Sequence, residues 1–236
     1  METQDERVAG VLAAVPLFAV LGEAGIAATV AAGLLRRHGA GQVIFHQGDP
    51  GDRLYVVVDG LVKVVFATER GAEIVLDTLG GGETFGEIAL LDGAPRSASI
   101  VAAEPTWLFS LSREQLLALM REHPALADEF LLMLGRLVRR LTERAADTAF
   151  LDLGGRLAKL LLQLAGKHGT RGRPGEPGGA VIDRKLTQSD LAALIGASRP
   201  AVNRALRSLT ARKVIAIEGR TIVLMDIEAL RRRSTP

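Results

Sequence analysis

Phe85-Gly86-Glu87-Ile88-Ala89-Leu90-Leu91-Asp92-Gly93-Ala94-Pro95-Arg96-Ser97-Ala98-Ser99 is the stretch around which the chain is organised. A glycine opens a short apolar run and an acid follows it directly. Past an Asp-Gly turn, an arginine and two hydroxyls lead into a β-type segment, Ile100-Val101. Backbone N–H groups at a helix N-terminus and one guanidinium offer an anion two kinds of donor, while an adjacent carboxylate accepts from a sugar hydroxyl. The stretch therefore reads as a cradle for a small phosphate ester. A structural ion pair between Glu87 and Arg96 across the turn is the competing reading of the same two charges.

Upstream, short β-rich runs (Val43-Ile44-Phe45, Leu54-Tyr55-Val56-Val57-Val58, Leu61-Val62-Lys63-Val64-Val65-Phe66, Glu73-Ile74-Val75-Leu76) alternate with turn signals. These are Gly48-Asp49-Pro50-Gly51-Asp52, Asp59-Gly60, Glu69-Arg70-Gly71 and Gly80-Gly81-Gly82. Turns every ten residues or so between β-branched runs predict an antiparallel sandwich or barrel, and Asp59-Gly60 reads as a hairpin. Residues 8–37 read as helical, with Val11, Leu12, Val15, Leu17, Phe18 and Leu21 followed by a second apolar set through Leu34 and Leu35. The run from Val8 to Leu21 follows acids, contains Pro16 and meets Glu23, which suits a packed helix better than a signal or membrane segment.

Downstream, Thr106-Trp107-Leu108-Phe109 supplies a last strand and helices take over. Ser112 before Glu114-Gln115 marks one helix start, and Pro124 opens a long helix to about Asp147. In it Leu126, Phe130, Leu134, Leu137 and Leu141 recur every three or four residues, widened by Leu131, Met133 and Val138. So wide a stripe serves either two surfaces, the barrel and a partner helix, or one buried position in its own domain. A further helix is expected from Phe150 to Leu164, then a Gly- and Pro-rich loop from Gly166 to Gly179.

Composition bounds the chemistry. At 236 residues, 48% hydrophobic and 24% charged, the chain suffices for two modest folded domains. The absence of cysteine excludes disulfides, thiolate zinc sites and cysteine-held iron–sulfur clusters, and points to a cytoplasmic protein. The net charge of +2 conceals a division: residues 1–148 carry 13 Lys+Arg against 20 Asp+Glu (−7), and residues 149–236 carry 16 against 7 (+9). The C-terminal third is the candidate for binding a polyanion, unless the excess merely solubilises it.

That third holds a second motif. Thr187 with Asp190 three residues on is a capping-box-like start, and Leu191, Leu194 and Ile195 form an apolar face that Gly196 interrupts. Ser198 caps a second helix, Pro200 falls in its first turn, and Val202, Leu206 and Leu209 face inward. The pair is a helix-turn-helix whose outward residues are Arg199, Asn203, Arg204 and Arg207. Arginine meets a guanine edge with a bidentate pair or neutralises a phosphate. Val214-Ile215-Ala216-Ile217 and Thr221-Ile222-Val223-Leu224-Met225 read as a hairpin wing beside these helices.

Taken in order, Val15-Pro16-Leu17-Phe18, Gly48 to Asp52, the Phe85 to Ser99 cassette and Ala197-Ser198-Arg199-Pro200-Ala201-Val202-Asn203-Arg204 resemble the cyclic-AMP receptor protein and fumarate–nitrate regulator family of bacterial transcription factors. The resemblance implies an α+β chain: an N-terminal antiparallel β-roll or jelly-roll domain for a cyclic nucleotide over 1–123, a dimerisation helix over 124–148, and a winged helix-turn-helix over 149–236. It implies that Arg96 binds the cyclic phosphate with Ser97 and Ala98. Glu87 would accept from the ribose hydroxyl, and Gly86, Ile88 and Ala89 would complete the site. Two hydroxyls that contact adenine in the cyclic-AMP receptor branch match Leu141 and Thr142, so one is lost. Thr187, Gln188, Ser198, Arg199, Pro200, Asn203, Arg204 and Arg207 would contact palindromic double-stranded DNA, with Pro200 replacing a glutamate that reads cytosine. Phe130, Leu134, Leu137 and Leu141 would form the homodimer interface.

The implied function is a transcription regulator responding to a cyclic nucleotide, with cyclic AMP favoured as effector. Such a protein works with RNA polymerase, not at a membrane, and is not an enzyme. The branch that holds an iron–sulfur cluster is excluded, and the scattered His38, His46, His123 and His168 do not suit haem or a metal. Two rivals stand: the same fold with another ligand, such as a dinucleotide, or with none, and a cyclic-nucleotide-controlled regulatory subunit that makes no DNA contact.

Overall fold

A computed structural model describes residues 3–69, 73–171, 180–183, 187–219 and 221–235. It divides into two compact units, 1–138 and 139–236, each described by itself.

The first unit begins with three helices, α1 (Gln4–Ala14), α2 (Pro16–Ala19) and α3 (Gly22–Ala32). Thr3 caps α1 through a reciprocal box with Glu6. Eight strands follow: β1 (Leu34–His38), β2 (Val43–Phe45), β3 (Arg53–Asp59), β4 (Leu61–Ala67), β5 (Glu73–Gly80), β6 (Thr84–Phe85), β7 (Ser99–Ala102) and β8 (Thr106–Ser112). They form two antiparallel four-stranded sheets, β1-β8-β3-β6 and β2-β7-β4-β5, the jelly-roll arrangement. Helix α4 (Glu87–Asp92) interrupts the strands, and α5 (Arg113–Glu122) and α6 (Pro124–Phe150) follow them.

Strand β3 shows why its sequence reads as continuously apolar. Leu54, Val56 and Val58 pack with Val8, Leu12, Phe18, Phe109, Leu126 and Phe130 in a helix-covered core. Val57 joins Val62, Leu79, Phe85, Ile100 and Leu108 in a second core. A strand buried on both faces has no polar alternation to show.

Three expectations need correction. Residues 8–37 are not all helical: Gly33 adopts extended backbone after α3, and Leu34–His38 form β1, paired with Ser110 to Thr106 of β8. Asp59-Gly60 is not a hairpin turn, because β3 pairs with β6 and β8 while β4 pairs with β5 and β7. The dipeptide carries the chain from one sheet to the other, beside a buried Thr106 whose hydroxyl donates to the Glu104 carbonyl. β4 pairs instead with β5, and Arg70 and Gly71 of the expected Glu69-Arg70-Gly71 turn lie outside the described residues. Phe130 is only 3% exposed and belongs to the roll's own core, so it is not on a dimer surface. The exposed apolar positions on α6 are Leu131 (66%), Leu132 (55%), Val138 (61%) and the expected Leu141 (52%), with Leu134 and Leu137 half-buried.

The second unit begins within α6, at Arg139, and contains α7 (Leu153–His168), β9 (Gly169–Arg171), β10 (Ala180–Asp183), α8 (Gln188–Leu194), α9 (Arg199–Ala211), β11 (Ile215–Glu218), β12 (Thr221–Leu224) and α10 (Ile227–Arg233). The expected loop from Gly166 begins later, because α7 continues to His168 and β9 pairs with β10; residues 172–179 lie outside the described set. The wing hairpin β11–β12 is extended by that pair into a sheet of order β11-β12-β10-β9. Helix α10, with no counterpart among the expected elements, is capped by Asp226, which accepts from the Ala229 N–H.

Candidate ligand cassette and nucleic-acid interface

The cassette is built around a buried cation. Arg96 is 5% exposed and its backbone is clamped to the Gly48–Asp52 turn: its N–H donates to the Asp49 carbonyl at 2.8 Å, and its carbonyl accepts from the Gly48 N–H at 2.9 Å. Its guanidinium donates through Nη1 to the Gly86 carbonyl (2.8 Å) and through Nη2 to the Arg53 carbonyl (3.0 Å). Nε is buried with no hydrogen-bond partner.

Below the guanidinium lies an aromatic bed that sequence reasoning missed. Arg96 Cζ sits 4.2 Å from the Phe45 ring centroid and 5.8 Å from that of Tyr55, and Tyr55 stacks on Phe85 at 5.0 Å. Phe45 and Tyr55 come from strands of different sheets, so only their place in β-runs beside the cassette could have suggested them. Gly51 was also missed as a site residue. A Cβ there would stand 2.7 Å from Arg96 Nε and 2.5 Å from the Ala89 side chain, so the turn, α4 and the arginine converge on one point.

The electrostatics follow. Burial pushes the Arg96 pKa down from its ordinary value, opposed by Tyr55, Asp52, Glu87 and Asp49 in that order. A desolvated guanidinium hydrogen-bonded through its side chain to neutral carbonyls is held where an anion would be stabilised. Gly86 opens α4 with φ +88°, a conformation that glycine adopts without a Cβ penalty, and no side chain caps the helix start.

Of the expected ligand residues, the structure brings Gly86, Glu87, Ala89 and Arg96 together. Ala98 is buried just beyond, Ser97 is exposed, and Ile88 is 40% exposed on the outer side of α4. Leu141 and Thr142 belong to the second unit, exposed on α6. Among the described residues, no group of three or more His, Asp or Glu could hold a metal ion, and no helix is long and apolar enough to cross a membrane.

In the second unit the two-helix motif takes the expected form. Thr187 caps α8 in a reciprocal box with Asp190, its Oγ1 donating to Asp190 Oδ2 at 2.8 Å while the Asp190 N–H donates back at 3.2 Å. The Thr187 hydroxyl is therefore engaged in the cap, and Gln188 is half-buried. The chain turns at Gly196, with the Ala197 N–H donating to the Ala192 carbonyl at 2.9 Å. Ser198 stands at the cap position of α9 but makes no capping hydrogen bond, a correction to its expected role. Val202, Leu206 and Leu209 are buried, Arg199, Pro200, Arg204 and Arg207 are exposed, and Asn203 is half-buried.

Comparison with known proteins decides the family. Residues 35–123 match the cyclic nucleotide-binding domain and residues 155–233 the Crp-like helix-turn-helix domain. The CRP-like cAMP-activated global transcriptional regulator of Mycobacterium tuberculosis is 37% identical over 194 residues, 82% of this chain and 85% of that protein. The chain belongs to the cyclic-AMP receptor protein and fumarate–nitrate regulator family. The cyclic AMP receptor protein of Thermus thermophilus is 35% identical over 83% of this chain and 85% of its own. Among solved structures, the c-di-GMP responsive global regulator CLP of Xanthomonas campestris superposes with TM-score 0.69 at 27% identity, over 84% of this chain and 98% of that one. Members of this family are regulators of transcription that bind DNA, not enzymes, and the chain carries both of its domains.

Proposed function

We propose that the protein is a cyclic-AMP-responsive, homodimeric, cytoplasmic activator or repressor that binds palindromic DNA and acts with RNA polymerase. The observation that carries the ligand reading is Arg96, a buried guanidinium with side-chain hydrogen bonds only to carbonyls and an unfilled Nε. A cyclic phosphate supplies the missing anion. Arg96 and the first-turn N–H groups of α4 would hold it, Ser97 and the Ala98 backbone would add hydrogen bonds, and Glu87 would accept from the ribose hydroxyl.

Leu131, Leu134, Val138 and Leu141 follow a three-and-four spacing, which is the seam of a two-helix coiled coil. Paired α6 helices would make the homodimer and carry Leu141 and Thr142 toward the nucleotide base. The dimer would place two copies of α9 in successive major grooves about 34–36 Å apart, with Arg199, Asn203, Arg204 and Arg207 at base edges and phosphates. Ligand and DNA affinities are then reciprocally coupled. Titration of cyclic AMP in an anisotropy assay with a selected operator tests this; equal operator affinity with and without nucleotide removes the switch. Light scattering tests the seam, since a charged Leu131→Glu seam should leave a monomer.

A second reading, a cyclic dinucleotide as effector, is favoured by Leu141, which removes one hydroxyl expected at the adenine. A single buried guanidinium suits one phosphate, so the mononucleotide is preferred. Calorimetry with cyclic AMP, cyclic GMP and cyclic di-GMP separates them.

A further inference from the structure

Helix α10 ends in Arg231-Arg232-Arg233, and the structure shows where that end is seated. A Cβ on Gly154 would stand 2.6 Å from Arg233 Nη2 and 2.7 Å from its Nε, and one on Gly155 would stand 2.9 Å from the Arg233 carbonyl. The two glycines in the first turn of α7 thus let α10 lie directly on that turn, with the Arg233 guanidinium over Gly154. The next residue of the same turn, Arg156, extends the other way: its Nη1 lies 4.0 Å from the position a Cβ of Gly196 would take. Gly196 is the turn between α8 and α9. A file of cations therefore runs from the helix-turn-helix corner through Arg156 and Arg233 to Arg232 and Arg231.

Among the described residues, little negative charge answers it. Asp152 engages the Gly155 N–H through Oδ1 at 2.7 Å, and its Oδ2 is 4.0 Å from Arg233 Nη2. Arg231 pairs with Glu228, but both side chains are 66% exposed, and such a pair is readily exchanged for another anion. Arg232 is exposed, and Nε of both Arg156 and Arg233 is buried without a hydrogen-bond partner.

We propose that α10 is a second DNA-contacting element, in which Arg231 and Arg232, docked on α7 through Arg233, neutralise backbone phosphates flanking the half-site read by α9. This rests on the DNA-binding reading above. Continuity with the helix-turn-helix corner favours DNA over an acidic protein: the file begins at the turn before α9 and sets guanidinium groups in a row, as a phosphate backbone needs. Such contacts add affinity and salt dependence without sequence preference.

The test uses the full chain saturated with cyclic AMP and a duplex enriched by the wild-type protein from random sequence. The exposed double substitution Arg231→Gln/Arg232→Gln leaves the Arg233 seat intact. It should lower the slope of log affinity against log salt by about 1 for each phosphate no longer neutralised, hence by about 2 per protomer, with base preference unchanged. Trimming the duplex to the edges of the half-sites should cost the wild type the same slope and the variant nothing. An unchanged slope in the double variant overturns the proposal, as does a variant that keeps its DNA slope but loses polymerase-dependent transcription, which would make the patch a protein-docking surface. Failure of the underlying reading looks different: the wild type itself would enrich no preferred duplex, and Arg204→Ala would change nothing.

Discussion

Arg96 and the arginines of α9 are the same residue type put to opposite uses. Arg96 is 5% exposed, fixed by two carbonyls and an aromatic bed. Arg199, Arg204 and Arg207 stand in solvent on a helix whose other face is buried at Val202, Leu206 and Leu209. A preorganised, desolvated cation suits one small anion in one geometry; a row of solvated cations suits a long polyanion met in many registers. Effector selectivity should therefore depend on the shape of a single guanidinium, whereas DNA affinity should depend mainly on the number of charges.

The largest effect should follow loss of the buried cation. Arg96→Ala is expected to weaken cyclic-nucleotide binding by on the order of 2–5 kcal/mol, read by calorimetry. Arg96→Lys should recover little of this, because an ammonium cannot reach the Gly86 and Arg53 carbonyls and a phosphate with one planar fork. Full rescue by lysine would erase the contrast with α9. Next comes the frame around it. Gly86→Ala places a Cβ 2.8 Å from the Arg53 carbonyl and 2.7 Å from Arg96 Nη1, at φ +88°. The expected cost is about 1–3 kcal/mol of stability of the roll, seen as a lowered melting temperature, together with weaker ligand binding. A melting temperature unchanged from wild type would mean that the cassette backbone is looser than its hydrogen bonds imply.

How much of each region the sequence disclosed follows from how local its causes are. The cap residues Ser112 and Thr187 were legible because the box partner, Gln115 or Asp190, sits three residues away. The inward set of α9 was legible from helical spacing alone. Strand β1 was not, because Leu34-Leu35 continues a helical pattern and becomes a strand only by pairing with β8, far along the chain. Asp59-Gly60 misled for a related reason: a good turn dipeptide says nothing about which strands the turn joins. Phe130 shows the limit of a wide stripe. Its periodicity left open whether α6 serves one surface or two, and which positions the roll covers is decided by Leu54, Val56 and Phe109 on distant strands. The aromatic bed under Arg96 was hidden in the same way, since Phe45 and Tyr55 meet only after two sheets close.

On the exposed side of the comparison, Arg204→Ala should cost about 1–3 kcal/mol on the selected operator and much less on unrelated duplex, measured by anisotropy. An equal loss on both would make Arg204 a phosphate contact and leave base readout to Arg199 and Asn203.

The smallest effect, and the sharpest contrast, is expected at Arg207. It stands on α9 one turn beyond Asn203 and is exposed. If its task is to place a positive charge near a phosphate, lysine does that as well as arginine. Arg207→Lys should then change operator affinity by no more than about 0.5 kcal/mol and leave the salt slope as it was. Set beside Arg96→Lys, the pair of substitutions exchanges one cation for another in both places and asks whether geometry or charge is used. A loss at Arg207 as large as that at Arg96, confined to the operator, would show that this exposed arginine is also read as a fork, against a guanine edge, and that α9 recognises sequence further along its length than Arg204.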